Sequence, residues 1–252
     1  MSTDKIKKYC DYMTKIPITY IGFSEELILF LINSNFFELK CVISQKDRLT
    51  PYLLSEIGSR GIPFFFVKSK EDLPSIRSWL KGKIVLMFKF GFILPNELTR
   101  EIDIFNIHAG DLKTNRGAHS LNWSILLGEK TTCLSLYKVS DKVDLGLLIK
   151  TYSVEIFDSD DVQMLEKRLI LGLPILIEAL HKFLNGQLQG INVDDGVYRK
   201  KIAMSDYKID ANKDSLEIIQ RKINSQRSYS GAVIELNGFR FYVMKVEKLT
   251  PN

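Results

Sequence analysis

Apolar runs with strand character alternate with helical segments through the first half of the chain, and this order limits the folds that the chain can adopt. Strands are predicted at residues 17–23, 39–44, 62–67, 83–88 and 102–107, and helices at residues 24–33, 53–59 and 72–80. Strands that alternate with helices at this spacing form parallel βαβ units. Because the strands are apolar without strict alternation, we expect a mostly parallel α/β sheet with helices on both faces.

Two strands and one long helix are predicted in the following segment. The strands occupy residues 131–139 and 148–156, and a turn at residues 141–146 separates them. Apolar residues then recur with helical period from Asp161 to Leu184. We expect one continuous helix in this segment, kinked near its centre by Pro174.

The C-terminal segment is predicted to form a small α+β appendage. We divide the chain into a main domain of residues 1–190 and an appendage of residues 191–252. The appendage contains a predicted helix at residues 215–224 and a predicted hairpin at residues 233–245. The dipeptide Asn237-Gly238 favours a two-residue hairpin turn, so we expect the hairpin to turn there.

The composition is that of an ordinary globular protein, with 252 residues of which 45% are hydrophobic and 26% are charged. No apolar run approaches the roughly 20 residues that span a bilayer. Residues 1–15 also lack the apolar core of a secretory signal. Cys10, Cys41 and Cys133 are widely spaced, without metal-ligand spacing. We therefore expect a cytoplasmic protein with reduced thiols, no metal and no membrane partner.

The net charge of +5 is concentrated at the C-terminal end of the chain. Residues 198–252 carry 11 Lys and Arg against 6 Asp and Glu, which accounts for the whole excess. Such a segment could face an anionic ligand such as a nucleotide, or it could be an ordinary solvated surface. A stripe dedicated to nucleic acid is usually denser in basic residues, so a nucleic-acid partner is not expected.

An amide and an imidazole occur at the end of the fifth predicted strand. Asn106 and His108 lie two residues apart, so their side chains share a face of the strand. In a parallel sheet, ligands bind at the carboxyl ends of the strands. The histidine can exchange a proton with an amine, and the asparagine can stabilise an oxyanion. Asp144 could orient the imidazole. The alternative is that His108 is structural, as we expect for His119 and His181.

Ordered motifs surround these residues. They are Phe105-Asn106-Ile107-His108, Gly110-Asp111-Leu112, Asn115-Arg116-Gly117, Asn122-Trp123-Ser124-Ile125 and Gly128-Glu129. Upstream lies Phe90-Gly91-Phe92-Ile93-Leu94-Pro95, and downstream lie an aspartate loop at residues 141–149, the segment 198–210 and Gly231-Ala232. This ordered set, from about residue 17 to residue 245, resembles the folate-dependent formyltransferases. The resemblance implies a Rossmann-like fold.

The resemblance also implies a donor and a set of site residues. The donor is N10-formyltetrahydrofolate, and the family's catalytic asparagine, histidine and aspartate correspond to Asn106, His108 and Asp144. Five positions are implied to contact the donor: Phe90, Phe92, Leu94, Asp141 and Asp144. Main-chain groups of the apolar loop are expected to read the edge of the pterin. For most side chains of residues 88–94, the alternative is a place in the core.

The acceptor is predicted from finer features of the resemblance. The family's usual His-Pro-Ser-Leu-Leu-Pro is here His108-Ala109-Gly110-Asp111-Leu112-Lys113. This is closer to the members that act on nucleotide-linked sugars, and the appendage is smaller than the barrel of the methionyl-tRNA members. We expect the enzyme to formylate an amino-deoxy sugar that is linked to a nucleotide, with dTDP as that nucleotide. The product is expected to enter the synthesis of a surface polysaccharide such as lipopolysaccharide O-antigen. The alternatives are a methionyl-tRNA formyltransferase-like enzyme and a folate- or nucleotide-binding module without turnover.

Four residues are predicted to bind the acceptor. Arg116 could pair with phosphate oxygens at two points, and Asn115 would support the same turn. The alternative for Arg116 is a surface ion pair. Tyr152 and Tyr229 could stack on a nucleobase. The edges of the predicted hairpin could pair with a second copy, so we expect a homodimer.

Overall fold

The computed structural model describes residues 14–45, 47–80, 84–95, 102–140 and 145–247. The chain divides into two compact units. The first consists of Met1–Asn106 and Glu178–Leu188, and the second of Ile107–Ile177 and Gln189–Asn252. The predicted division after residue 190 stays a prediction. No helix within the described ranges is both long and apolar enough to cross a bilayer.

The first unit is built on a parallel sheet. Its strands are β1 (Ile16–Gly22), β2 (Phe37–Gln45), β3 (Phe64–Val67), β4 (Ile84–Phe88) and β5 (Asp103–His108), of which β5 continues into the second unit. Their order is β3-β2-β1-β4-β5. The β1 strand pairs in parallel with β2 and β4, and β2 pairs in parallel with β3. The predicted α/β, Rossmann-like class is therefore confirmed, because the order reverses beside β1 as it does in doubly wound sheets.

Helices connect these parallel strands. They are α1 (Glu25–Ile32), α2 (Pro51–Ser59), a 3-10 helix (Lys70–Ile76) and α3 (Arg77–Leu80). Ser24 caps α1 as predicted, since its side chain accepts a hydrogen bond from the Leu27 N–H. The single helix predicted at residues 72–80 is wrong in its first part. Pro74 lies inside that stretch, and its missing N–H favours the tighter 3-10 turns.

The strands of the second unit pair mostly antiparallel. They are β6 (Arg116–Gly117), β7 (Thr131–Val139), β8 (Gly146–Glu155), β9 (Ile191–Val193), β10 (Tyr198–Arg199), β11 (Lys208–Ile209), β12 (Ala232–Leu236) and β13 (Phe239–Val243). The β8 strand pairs antiparallel with both β7 and β9, and β6 pairs in parallel with β10. A separate three-stranded sheet has the order β11-β12-β13.

Five helices of the described chain follow β5. They are α4 (Ser120–Leu127), α5 (Val162–Ile170), α6 (Leu173–Leu184, which continues into the first unit), α7 (Met204–Tyr207) and α8 (Leu216–Gln226). The prediction of one helix from Asp161 to Leu184, kinked at Pro174, is wrong. The helix ends before Gly172, where a Cβ would stand 2.1 Å from Cδ1 of Tyr152, and a new helix begins at Leu173. Pro174 is the second residue of α6, where an N–H is not required.

The appendage contains the predicted helix and the predicted hairpin. The side chain of Ser215 caps α8, and the hairpin of β12 and β13 turns at Asn237 and Gly238. Both turn residues have positive φ, at 52° and 80°, which is the type I′ geometry that Asn-Gly favours. A cluster of Ile209, Ile223 and Ala232 forms the core of this region.

Candidate active site

The end of β5 carries the two polar residues that the sequence singles out. Asn106 is half-buried, and only 8% of His108 is exposed. The residues between and before them, Phe105 and Ile107, are buried in the apolar core. Because side chains alternate along a strand, Asn106 and His108 project from the face opposite to Phe105 and Ile107.

The imidazole of His108 is held by main chain. Its Nε2 lies 2.9 Å from the carbonyl oxygen of Asn115. A carbonyl oxygen can only accept, so Nε2 carries the hydrogen and donates it. In the neutral ring the basic nitrogen is therefore Nδ1. Gly110 allows this approach, since a Cβ at that position would stand 2.8 Å from Nε2.

Asn115 is buried and organises the loop between β5 and β6. Its Nδ2 donates to the Ser120 carbonyl oxygen and to Ser124 Oγ, each at 2.8 Å. Its main-chain N–H donates to the Asp111 carbonyl oxygen at 2.8 Å. The amide nitrogen is thus occupied inside the protein, and only 1% of the residue is exposed. This placement supports a role in holding His108, whereas the predicted contact with the acceptor stays a prediction.

Arg116 connects the same loop to a later segment. Its Nη2 donates to the Gly196 carbonyl oxygen at 2.6 Å, and its main-chain N–H donates to Val197 at 3.0 Å. The guanidinium therefore binds a carbonyl group of this chain. This contact differs from the surface ion pair considered as the alternative. The predicted phosphate contact of Arg116 stays a prediction.

The two tyrosines predicted to stack on a base lie in different surroundings. Tyr152 is half-buried, and its ring packs against Gly172 at the break between α5 and α6. Tyr229 follows α8 and is 62% exposed. Packing against Gly172 covers part of the Tyr152 ring and limits the surface on which a ligand could stack. Tyr229 is accessible. Both assignments stay predictions.

Asp141 and Asp144, the two acids of the predicted aspartate loop, lie outside the described residues. The next residue, Leu145, is 6% exposed and belongs to an apolar cluster with Leu112, Tyr137 and Val193. Leu112 is part of the loop that follows His108. The chain is therefore anchored beside that loop at residue 145, and the orienting role of Asp144 stays a prediction.

A family model described as Formyl transferase matches residues 25–171, which is more than half of the chain. The chain belongs to the formyl transferase family. It is a folate-dependent formyltransferase, and the donor class predicted from the motifs, N10-formyltetrahydrofolate, is confirmed with the family.

Relatives of this formyltransferase differ in the acceptor that they are named for. The methionyl-tRNA formyltransferase of Lactococcus lactis subsp. lactis (strain IL1403) is 29% identical over 255 residues, covering 93% of this chain and 80% of that protein. A sugar N-formyltransferase from Shewanella sp FDAARGOS_354 has the same fold, with a TM-score of 0.70 at 18% identity, covering 94% of this chain and 99% of that one. The sugar 3N-formyl transferase WlaRD, crystallised in the presence of dTDP and 5-N-formyl-THF, gives a TM-score of 0.68 at 18% identity, covering 88% and 83%. The two structures establish the fold.

The apolar loop that is predicted to bind the donor follows β4. Residues 89–95 form neither helix nor strand, so their main-chain groups are not committed to a sheet ladder. The rings of Phe90 and Phe92 meet edge to face at 5.5 Å between centroids, and Leu94 is buried. The Gly91 N–H donates to Gln45 Oε1 at 3.1 Å, which ties the loop to the end of β2. The predicted donor contacts of Phe90, Phe92 and Leu94 stay predictions.

The other two histidines have the structural surroundings expected for them. The ring of His181 lies 4.7 Å from the Phe36 ring and 6.1 Å from the Phe37 ring. His119 precedes α4 with a left-handed φ of 60°, and burial together with the nearby Lys201 lowers its pKa. Within the described ranges, no group of three or more His, Cys, Asp or Glu side chains is placed to hold a metal ion.

Proposed function

We propose that this formyltransferase acts on the amino group of a nucleotide-linked amino-deoxy sugar, with dTDP as the nucleotide, for surface polysaccharide such as lipopolysaccharide O-antigen. The observation that carries the proposal is the fold shared with the sugar N-formyltransferase from Shewanella sp FDAARGOS_354, over 94% of this chain and 99% of that one. The segment His108-Ala109-Gly110-Asp111-Leu112 supports the same choice, because it is closer to the members that act on nucleotide-linked sugars. The fold shared with WlaRD is further support.

In this proposal the donor binds the loop at residues 89–95. Main-chain groups of Phe92 and Leu94 would contact the polar edge of the pterin, and the ring of Phe90 would support the loop. The predicted contacts of Asp141 and Asp144 complete the donor site. When bound, N10-formyltetrahydrofolate supplies an activated one-carbon group.

The residues at the end of β5 handle the charges and the proton. The side-chain N–H of Asn106 donates to the carbonyl oxygen on which negative charge develops. His108 accepts the proton that the acceptor amine loses as its nitrogen bonds to the formyl carbon, and returns that proton to N10 of the donor as the bond between N10 and the formyl carbon breaks. Asp144 would stabilise the charged imidazolium that results. Positioning and preorganised charge therefore supply most of the rate enhancement.

A second candidate acceptor is methionyl-tRNA. The relative of 29% identity that carries this name, and the basic segment of residues 198–252, favour it. The two acceptors differ in their response to salt. A protein that follows an RNA backbone releases many counterions, so its affinity falls steeply as salt rises, whereas a ligand with two phosphates responds weakly.

The test is formyl transfer from N10-formyltetrahydrofolate to two purified acceptors, a panel of dTDP-linked amino sugars and methionyl-tRNA. We expect one sugar to gain a formyl group, detected by mass, and methionyl-tRNA to remain unmodified. His108→Ala is expected to lose most of the activity. His181→Ala, which changes a histidine in aromatic packing, is its matched control. Formylation of methionyl-tRNA with no sugar modified would replace the proposal by the second candidate.

We also propose that the enzyme is a cytoplasmic homodimer. The hairpin strand β13 is an edge of its sheet, and it exposes apolar side chains at Phe239, Phe241 and Tyr242. Exposed apolar edge strands favour pairing with another copy. The buried thiol of Cys133 is compatible with a reducing compartment. Sedimentation that detects only monomer at working concentration would exclude the dimer.

A further inference from the structure

Residues 196–201 are tied to the loop that follows His108. The Val197 N–H donates to the Lys113 carbonyl oxygen at 2.7 Å, and Trp123 Nε1 donates to the Lys200 carbonyl oxygen at 2.9 Å. The ladder of β6 and β10 places Arg116 opposite Tyr198. Asn115, the residue before Arg116, accepts the hydrogen bond of the His108 imidazole. Residues 196–201 therefore keep a fixed position relative to His108.

Tyr198 is accessible but not loose. It is 57% exposed, and its ring lies against the backbone of Gly117. A Cβ at Gly117 would stand 2.9 Å from Cε2 of the ring and 2.3 Å from the Arg199 carbonyl oxygen. Gly117 also has a φ of +96°, so glycine is required there. A ring that is held in place and still exposed loses little freedom when a second ring stacks on it.

Basic side chains flank this tyrosine. Lys113, Lys200 and Lys201 are exposed, and Arg199 is half-buried. The acids around them are Asp194 and Asp195, which are exposed, and Asp206, which lies 3.2 Å from Lys200. Asp111, which accepts a hydrogen bond from the Lys113 N–H, is a fourth acid, and with Arg116 the basic side chains of these two segments number five against four acids. Clustered Lys and Arg favour phosphate groups.

A short chain of contacts joins Tyr198 to His108. One hydrogen bond joins the His108 imidazole to Asn115. The next residue, Arg116, lies opposite Tyr198 on the neighbouring strand. These steps place the Tyr198 backbone within about 10 Å of His108 Nε2. We propose that Tyr198 stacks on the base of the acceptor nucleotide and that the basic residues beside it pair with the phosphates. This inference rests on the proposed function, and it names the residues that would read the nucleotide.

Calorimetric titration with dTDP tests the stacking contact. Tyr198→Ala is expected to weaken dTDP binding roughly 10- to 100-fold, because base–aromatic stacking contributes that much affinity. Tyr198→Phe keeps the ring and is expected to bind as the wild type does. Tyr52→Ala removes a tyrosine that is 63% exposed on α2 and is the matched control. For the dTDP-linked sugar, Tyr198→Ala should raise KM and leave kcat nearly unchanged.

A second variant tests the phosphate contact. Lys201→Gln should weaken dTDP binding more than it weakens thymidine binding, since only dTDP carries phosphates. Suppose that the wild type formylates a nucleotide sugar and that Tyr198→Ala binds dTDP as tightly as the wild type does. The stacking inference is then overturned, and the proposed function survives. If the wild type binds no dTDP and formylates methionyl-tRNA with a steep salt dependence, the proposed function fails and the inference fails with it.

Discussion

Nε2 of His108 donates a hydrogen bond to the main-chain oxygen of Asn115 across 2.9 Å. The ring is thus oriented by a group that every amino acid possesses. What makes position 115 specific is its side chain, which fixes that carbonyl by donating to Ser120 and Ser124. The sequence identified Asn115 as part of a turn, and the structure assigns it the orientation of the proposed proton acceptor.

Replacement of His108 by alanine is expected to lower kcat/KM by about 10² to 10⁴, the usual contribution of a general base. The affinity for the folate donor should remain, because the donor loop at residues 89–95 is not altered. Steady-state rates and donor titration measure the two effects. His181→Ala should keep wild-type activity, and wild-type rates in His108→Ala would remove the histidine from the mechanism.

Replacement of Asn106 by alanine is expected to lower kcat by about 10² to 10³, the effect of removing one donor to an oxyanion. KM for the acceptor should change little, since the interaction forms as charge develops. Asn106 is half-buried, so the folded state should tolerate the change. A variant that lost acceptor affinity at an unchanged kcat would instead identify Asn106 as a binding residue.

Replacement of Asn115 by alanine is expected to reduce both stability and kcat. It leaves the Ser120 carbonyl oxygen and Ser124 Oγ without their donor, which costs about 1–3 kcal/mol for each buried group. The freed loop would then let the imidazole turn. Urea unfolding and steady-state rates measure the two losses, and Asn192→Ala, at an exposed position of β9, is the control. An unchanged kcat in a destabilised variant would show that the loop does not orient His108.

Much of the architecture could be predicted from local sequence signals. The alternation of strands and helices, the Ser24 cap and the Asn237-Gly238 turn each depend on neighbouring residues, and each was confirmed. The break at Gly172 could not be predicted, because it follows from a Tyr152 ring that packs there from β8. The short strands β6 and β10 were also missed, because two residues are too few to show a periodicity.

The candidate site shows the same limit. Side-chain chemistry and spacing on β5 identified Asn106 and His108, but the partner of the imidazole is a carbonyl group. Every residue has a main-chain carbonyl group, so the sequence does not show which one contacts the imidazole. The role of Asn115 was therefore found only in the structure. Tyr198 was likewise missed as a stacking candidate, because its ring lies against Gly117, which is distant in sequence.

Among the ion pairs of the described residues of the second unit, Asp160 is the most buried carboxylate. It is 1% exposed, and Arg168 donates to both of its oxygens, with Nη1 at 2.8 Å from Oδ1. The Phe157 N–H donates to Oδ2 at 2.7 Å. Burial acts to raise the pKa of this carboxyl, but the hydrogen bonds from Arg168 and Phe157 and the arginine charge outweigh it and hold the pKa below its usual range.

The sign of the resulting pH dependence follows from that direction. Because the folded-state pKa of Asp160 is below the unfolded value of about 3.9, the stabilisation is complete above about pH 5 and is lost as pH falls through the folded pKa. Asp160→Asn should cost about 3 kcal/mol near neutral pH, and the difference from wild type should shrink in acid. Urea unfolding at a series of pH values measures it. Glu247→Gln, in an exposed pair with Lys245, should show almost no difference at any pH. A cost for Asp160→Asn that is constant from neutral to acid pH would mean that the charge of Asp160 does not stabilise the fold.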